Sequence, residues 1–364
     1  MIIKTLELKD FRNYESLSLE LDPGVNVFHG DIAQGKTNIL ESIYIASTGK
    51  SHRGAKDREI IRFEQDEAHI RMMLERRGAL RRIDMHLRKS GHKGAAVDGV
   101  PIRKITELLG VCRLVFFSPE DLGIIKDSPA VRRRFMDMEL CQLDPFYAKQ
   151  LSAYNHVLLQ RNTLLKDAWK ERELLDTLDV WNTQLQSYGT RIILRRREFL
   201  RSLDETVRKI HHRLTGGEEE AVLKYEENTS AEDFARALIE NRERELRQGI
   251  SITGPHRDDI GFFLNGKDAR KYGSQGQQRT ISLSLKLAEI EMVKSITGDW
   301  PVLLLDDVLS ELDRGRQEQL LQGISDIQTL ITCTGMDEFV RDNFRIGRAW
   351  HVKSGTVTGG IYEQ

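Results

Sequence analysis

Cysteine is scarce in this chain: Cys112, Cys141 and Cys333 stand far apart, with no C-x-x-C spacing. That argues against a zinc site and against a disulfide framework, and it fits a reducing compartment. Long hydrophobic runs are missing too. None approaches the roughly 20 residues that a membrane-spanning helix needs. The opening Met1-Ile2-Ile3-Lys4-Thr5-Leu6-Glu7 is charged too early for a secretory signal, so no membrane partner and a cytoplasmic location are expected. Nor is there an excess of either charge, because 55 Lys and Arg balance 56 Asp and Glu to a formal net charge of -1. No bulk field draws the chain to nucleic acid, and contact with DNA would need a local patch. With 39% hydrophobic and 30% charged residues the chain is an ordinary globular one, and its 364 residues suffice for one large domain or two.

Periodicity divides the chain into three stretches. Leu17, Leu19 and Leu21 alternate with Ser16, Ser18 and Glu20, the period of a half-buried strand. After a Pro23-Gly24 turn, Val25-Asn26-Val27-Phe28 reads as a strand leading to Gly30. Ile39, Leu40, Ile43 and Tyr44 then predict a helix over 36–47. Short strands follow to about residue 117, with a hairpin turn at Asp98-Gly99. From about 129 to 249 strand patterns vanish and Leu, Arg, Glu and Gln dominate, which predicts antiparallel helices interrupted at Thr215-Gly216-Gly217. Mixed patterns return at Ile250: alternation at Ile260, Phe262 and Leu264, an Asn265-Gly266 turn, a buried helix from Gly276 to Ile296, and the apolar strand Val302-Leu303-Leu304-Leu305. The expected architecture is an α/β head built from residues 1–125 and 250–364, with a helical lobe at 126–249 inserted between.

Gly30-Asp31-Ile32-Ala33-Gln34-Gly35-Lys36-Thr37 matches G-x-x-x-x-G-K-[ST]. Its glycines allow backbone N–H groups to ring phosphates at a helix N-terminus. Lys36 would neutralise the outer phosphates of ATP, and the Thr37 hydroxyl would ligate Mg²⁺. A chance match on a loop would not need a strand before it and a helix after it; the mechanism needs both, and both are predicted. The strand ending in Asp306-Asp307 offers a second Mg²⁺ carboxylate in Asp306, and in Asp307 a group to orient or deprotonate the attacking water. Alone, an apolar strand ending in Asp is a weak signal. Ser274-Gln275-Gly276 opens the long helix as either an anion site or an ordinary cap. Ser310-Glu311-Leu312-Asp313 is either a loop linking two nucleotide sites or a helix start capped by Ser310.

In this order, the motifs resemble the ABC-type P-loop ATPase heads of the SMC group. Further stretches bring the likeness to the RecF family of DNA replication and repair proteins: Phe11-Arg12-Asn13-Tyr14, Gly49-Lys50-Ser51-His52-Arg53, Ser118-Pro119-Glu120-Asp121-Leu122, Arg132-Arg133-Arg134-Phe135, Gln160-Arg161-Asn162, Gly254-Pro255-His256-Arg257-Asp258-Asp259 and Tyr272 to Thr280. The resemblance runs from about residue 1 to 335. It implies an ATP-dependent homodimer that binds single-stranded, gapped or junction DNA and helps load recombinase with RecR and RecO-type mediators, in recombinational repair, replication restart and the SOS response. Carried over by position, Lys36, Thr37 and Asp306 hold ATP and Mg²⁺ and Asp307 is the catalytic carboxylate. Ser274, Gln275 and Gly276 contact the γ-phosphate across the dimer, Asp313 lies in the loop between sites, and Arg12 reaches the phosphates. Ile32 departs from a common Asn, Asp307 from the usual Glu, and no switch histidine stands near Thr332 or Thr334. The shorter carboxylate implies slow hydrolysis.

For DNA the densest basic clusters are Arg132-Arg133-Arg134 and Arg195-Arg196-Arg197, either phosphate contacts or a solvated helix face. His256 and Arg257 have no assigned role beyond a turn. A phosphotransferase built on the same loop is the alternative enzyme class. A head that binds ATP without hydrolysing it is the non-enzymatic one.

Overall fold

The computed structural model describes residues 1–167, 176–311, 313–324, 326–335 and 344–362. They form two compact units, Met1–Asp121 with Glu289–Gln364, and Leu122–Ala288.

The first unit holds two six-stranded sheets. One is antiparallel throughout: the hairpin Ile2–Phe11 and Tyr14–Glu20, then Glu67–Arg76, Ala79–Arg88, Gly94–Val97 and Val100–Pro101. Alternation gives it one apolar side, with Ala68, Ile70, Met72 and Leu74 buried on one strand and Ile83, Met85 and Leu87 on the next. The other sheet runs Thr356–Ile361, Ile346–Lys353, Val25–His29, Thr329–Cys333, Val302–Asp306, Leu114–Phe117, with every pairing parallel except the first. Val302–Asp306 and Thr329–Cys333 are buried on both faces, which is why they read as unbroken apolar runs. Helix Lys36–Thr48 packs against both sheets. Its Ile39, Leu40, Ile43 and Ala46 join one core with Leu6, Met72 and Ile83 of the antiparallel sheet and Phe28, Leu304 and Leu330 of the parallel one.

The second unit pairs helix Pro145–Asp167 with helix Leu178–Leu214. They run antiparallel, since Tyr147 meets Arg196 and Arg161 meets Asn182. Three arginines are its largest fully buried side chains, Arg132, Arg161 and Arg196. A buried guanidinium is tolerated only when its donors are matched. Arg161 donates to Asn182 Oδ1 at 2.8 Å, Ser251 Oγ at 2.6 Å and the fully buried Glu245 at 2.6 Å. Arg196 donates to Asp137 at 2.8 Å, Asp258 at 3.0 Å and the Pro255 carbonyl at 2.6 Å. Arg132 grips Asp259 with two nitrogens, at 2.5 and 3.0 Å.

Two features differ from the sequence expectation. The lobe contains a three-stranded sheet of Ala221–Glu226, Asp259–Leu264 and Lys267–Asp268, whereas 129–249 reads as helix only. Ala221–Glu226 is six residues long, and its partner strand comes more than 30 residues later, so no local pattern announces it. Residues 250–288 belong to this unit, not to the head, because Gly254 to Asp259 is fastened to its helices. Asp258 accepts from Arg196, from the Tyr225 hydroxyl and from the Asn228 N–H. His256 Nε2 lies 3.0 Å from the Ser251 carbonyl, an acceptor, so that nitrogen carries the proton and Nδ1 accepts from the Tyr154 hydroxyl at 2.7 Å. Arg257 donates to the same carbonyl at 3.1 Å. Both residues hold the turn.

Arg161→Ala is expected to lower the stability of this unit by about 3–5 kcal/mol, because Glu245 would remain buried and uncompensated. Arg208→Ala, which removes half-exposed pairs with Asp204 and Glu220, should cost less than about 1 kcal/mol. Urea unfolding of both variants, followed by circular dichroism, checks the contrast.

Candidate functional site at the phosphate loop

Strand Val25–His29 leads into Gly30, and helix Lys36–Thr48 opens immediately after Gly35. The loop between them is left-handed at Gly30, Ala33 and Gly35, with φ of 147°, 64° and 112°. A Cβ on Gly30 would stand 2.3 Å from the Val352 carbonyl oxygen, and one on Gly35 2.5 Å from the Asn13 side chain. Both positions therefore require glycine. The loop is clasped from two sides. The Tyr14 hydroxyl donates to the Gly35 carbonyl at 3.0 Å, and Asn13 Nδ2 to the Gln34 carbonyl at 2.9 Å. From the other side the Gly355 N–H donates to that same carbonyl at 3.2 Å, and the Ser354 N–H to Gln34 Oε1 at 2.7 Å. Lys36 is buried and donates from Nζ to the carbonyls of Gly30 and Asp31, each at 2.7 Å. Asp31, Ile32 and Ala33 are exposed, so the departure at Ile32 falls where the clasp does not depend on the side chain.

Asp306 ends its strand at 5% exposure, and its Oδ1 accepts from Thr37 Oγ1 and Thr332 Oγ1, each at 2.7 Å. Burial pushes this carboxyl above its ordinary value, and the two hydroxyl bonds oppose the shift without cancelling it. The Thr332 oxygen also accepts from the Asp307 N–H at 3.0 Å, so one hydroxyl bridges both aspartates. Asp307 itself has φ 56°, which turns the chain off the strand axis, and its carbonyl accepts from Ser310 at 2.9 Å. A hydroxyl and a carboxylate oxygen this close form the hard donor set that suits Mg²⁺.

Arg12 is held differently from the expectation. Its Nε and one terminal nitrogen bind the two oxygens of Glu41 at 2.9 and 2.8 Å, and its other terminal nitrogen donates to the Glu59 carbonyl at 2.7 Å. Ser51 adds a bond to Glu41 at 2.6 Å. Burial pushes the Glu41 carboxyl up, but Arg12 and Ser51 outweigh it and leave it below its ordinary value. Beside this network His52 packs on Phe116, with centroids 4.4 Å apart, and burial holds its pKa down at about 4. Glu41 was missed by the sequence reading, although a carboxylate within an otherwise apolar helix face was a signal that it needed a partner.

Ser274 and Asp313 make local contacts at helix starts. Ser274 Oγ accepts from the Gln277 N–H at 3.2 Å while Gln277 Oε1 accepts from the Ser274 N–H at 2.8 Å, a reciprocal cap for helix Gln275–Thr297. Gln275 and Gly276 beside it are exposed. Asp313 accepts from the Arg316 N–H at 3.0 Å at the start of helix Arg314–Ile324, and Leu312 lies outside the described residues. Two members of the basic clusters need correction as DNA contacts, Arg132 at 0% and Arg196 at 2% exposure. Arg132 and Arg196 are interior ion-pair residues and cannot reach a phosphate backbone. Arg133 donates to the Asp258 carbonyl at 2.7 Å, Arg195 pairs with Asp144 and Glu198, and Arg197 pairs with Glu227 and Glu232. Arg134 is exposed. Among the described residues no helix is long and apolar enough to cross a membrane.

The family model described as RecF/RecN/SMC N terminal domain matches residues 2–354. The DNA replication and repair protein RecF of Lachnoclostridium phytofermentans is 53% identical over 360 residues, 99% of this chain and 100% of that one. Its namesake from Agathobacter rectalis is 54% identical over 357 residues, 98% of this chain and 99% of that one. The chain belongs to the RecF family. The structure of the recombination mediator protein RecF with ATP in the RecFOR pathway is similar, with a TM-score of 0.92, 33% identity and coverage of 98% of this chain and 97% of that chain. An SMC head bound to the C-winged helix domain of ScpA has a TM-score of 0.58 at 15% identity and shares the fold alone. The α/β ATPase-head fold expected from the motifs is thus the RecF-family fold.

Gly35→Ala tests the clasp in this RecF-family loop. It should destabilise the first unit by about 1–3 kcal/mol, since the added methyl meets Asn13 in a left-handed backbone. Combining it with Asn13→Ala, which removes the clashing atoms, should recover part of that loss; equal thermal midpoints for the single and double variants would show that Asn13 does not confine the glycine.

Proposed function

We propose that this chain is an ATP-dependent switch on DNA: an ATPase that dimerises around bound nucleotide and acts in the cytoplasm in recombinational repair. The observation that carries the proposal is the bond between Thr37 and Asp306, 269 residues apart in sequence, beside a glycine loop whose lysine is already turned onto it. This geometry supports a bound triphosphate with its outer phosphates against Lys36 and the backbone N–H groups of residues 30–37. Thr37 and Asp306 would hold Mg²⁺, which supplies charge neutralisation at the phosphates when bound. Asp307 orients the water that attacks the γ-phosphate, and the shorter reach of Asp compared with Glu favours slow hydrolysis, suited to timing an assembly.

The likeness to a RecF structure carrying ATP, in the RecFOR pathway, supports the same reading. The pathway that structure belongs to extends the proposal to RecR and RecO-type mediators; DNA at single-strand gaps, and recombinase loading in replication restart and the SOS response, rest on the motif resemblance alone. The Ser274 cap leaves Gln275 and Gly276 exposed at a helix N-terminus, whose dipole would favour a second protomer's γ-phosphate. Asp313 would lie in the loop joining the two nucleotide sites of that dimer, and Arg12 would meet the phosphates only by leaving Glu41.

Lys36→Met should weaken ATP binding at least about tenfold by equilibrium titration, the loss of one charged donor. Asp307→Asn should retain ATP but hydrolyse it about 10²–10⁴ times more slowly. Ser274→Arg should bind ATP as the wild type does and remain monomeric in sedimentation with ATP and Mg²⁺. Light scattering with and without ATP and gapped DNA decides between the switch and a phosphotransferase: ATP-dependent mass growth on DNA supports the switch, and a monomer unaffected by either refutes it.

A further inference from the structure

Away from the phosphate loop, one group of side chains among the described residues has the donor set of a metal centre. Glu67 and His69 lie two apart on strand Glu67–Arg76 and so share a face, the one opposite the buried Ala68 and Ile70. His86, on strand Ala79–Arg88, is the register partner of His69. The two imidazoles stack with centroids 4.3 Å apart and planes 17° apart, and Glu67 Oε2 lies 2.8 Å from His86 Nε2. One ligand atom from each of the three residues lies within 4.8 Å of the others. Donors bound to a single ion at about 2.0–2.2 Å stand about 3–4 Å apart, and because imidazole ligates in the plane of its ring, the exposed His69 turns out of its stack on His86 to complete the set.

We propose that Glu67, His69 and His86 form a surface site for a divalent transition-metal ion of the zinc class. Basic neighbours weaken the hold on any dication, so ligand type decides which ion the site takes. Lys9 is the register partner of His69 on its other side, and Arg88 Nε stands 3.6 Å from Glu67 Oε1. Ca²⁺ and Mg²⁺ take their binding energy from several oxygens, and only one carboxylate is present here. Neutral imidazole nitrogens favour Zn²⁺, Ni²⁺ or Cu²⁺. Three protein ligands leave a position for water or for a ligand from another molecule. An open trough of about 970 Å³ beside His69 and His86 gives it room. The scarcity of paired cysteines excludes a thiolate zinc site but does not bear on one built from imidazole and carboxylate.

Arg88 opposes the ion in a way that can be measured. One of its terminal nitrogens lies 3.2 Å from His86 Nδ1, and a guanidinium only donates, so Nδ1 accepts and Nε2 holds the proton that bonds Glu67. Ligation through Nε2 moves that proton to Nδ1, and Arg88, about half exposed, turns outward. Removing Arg88 should therefore strengthen metal binding, which a merely structural role for these histidines would not produce.

The test uses the tag-free full-length chain, stripped of metal and titrated with Zn²⁺ against a chromophoric chelator, without nucleotide or Mg²⁺. One ion per chain is expected. His69→Ala and His86→Ala should each weaken binding at least about tenfold, Arg88→Gln should tighten it, and Arg208→Ala, a surface change in the other unit, should leave it unchanged. Circular dichroism shows that each variant is folded. Retention of Zn²⁺ by the doubly substituted H69A/H86A chain at wild-type affinity would overturn the proposal, and so would a wild type that holds no ion against the chelator.

Discussion

The first unit depends on one pairing, that of Val25–His29 with Thr329–Cys333. Parallel strands far apart in sequence close only through long crossovers, and here the closure joins the two ends of the chain. Once Thr329–Cys333 lies between Val25–His29 and Val302–Asp306, Thr332 is placed to bond Asp306, and Asp306 to bond Thr37. The carboxylate that completes the site is thus delivered by sheet register: Asp306 aligns with Thr332, and Thr332 with Phe28. A shift of one residue in either pairing would send Asp306 to the other face.

The same rule about buried polar groups governs both units. In the first, Glu41 sits at 0% exposure inside the core helix because Arg12 and Ser51 answer it, and the hairpin that presents Arg12 also presents Asn13 and Tyr14 to the loop. In the second, three buried guanidiniums are each matched by carboxylates, carbonyls or hydroxyls, and the Gly254 to Asp259 segment supplies many of those acceptors. Such networks fix one arrangement, because a partner lost leaves an uncompensated charge in a medium of low dielectric. Several of the stretches that resembled a family signature are, in this molecule, places where interior polarity is neutralised.

Much of this was legible along the chain. The loop from Gly30 to Thr37, the helix after it, the apolar strand before Asp306 and the hairpin turns at Asp98-Gly99 and Asn265-Gly266 follow from local periodicity and turn chemistry, which are set by residues within a few positions. What misled was polarity without context. Arg132-Arg133-Arg134 and Arg195-Arg196-Arg197 look like solvated or phosphate-binding runs, yet the middle residue of the second and the first of the other are buried. A helix with basic residues at successive positions points them in different directions, and only the elements packed against it decide which one is enclosed.

By itself, then, the sequence determined the local chemistry: a phosphate cradle needing glycine at two positions, a carboxylate pair ending an apolar strand, and two regions of different composition. The tertiary structure alone decided which distant groups meet. Thr332 bridges the aspartates, Glu41 holds Arg12, Ala221–Glu226 pairs across more than 30 residues, and His69 faces His86, all through contacts between strands or helices separated in sequence. The physical reason is that backbone conformation is chosen over a few residues, whereas burial and hydrogen-bond partnership are chosen by packing, for which sequence distance carries no information.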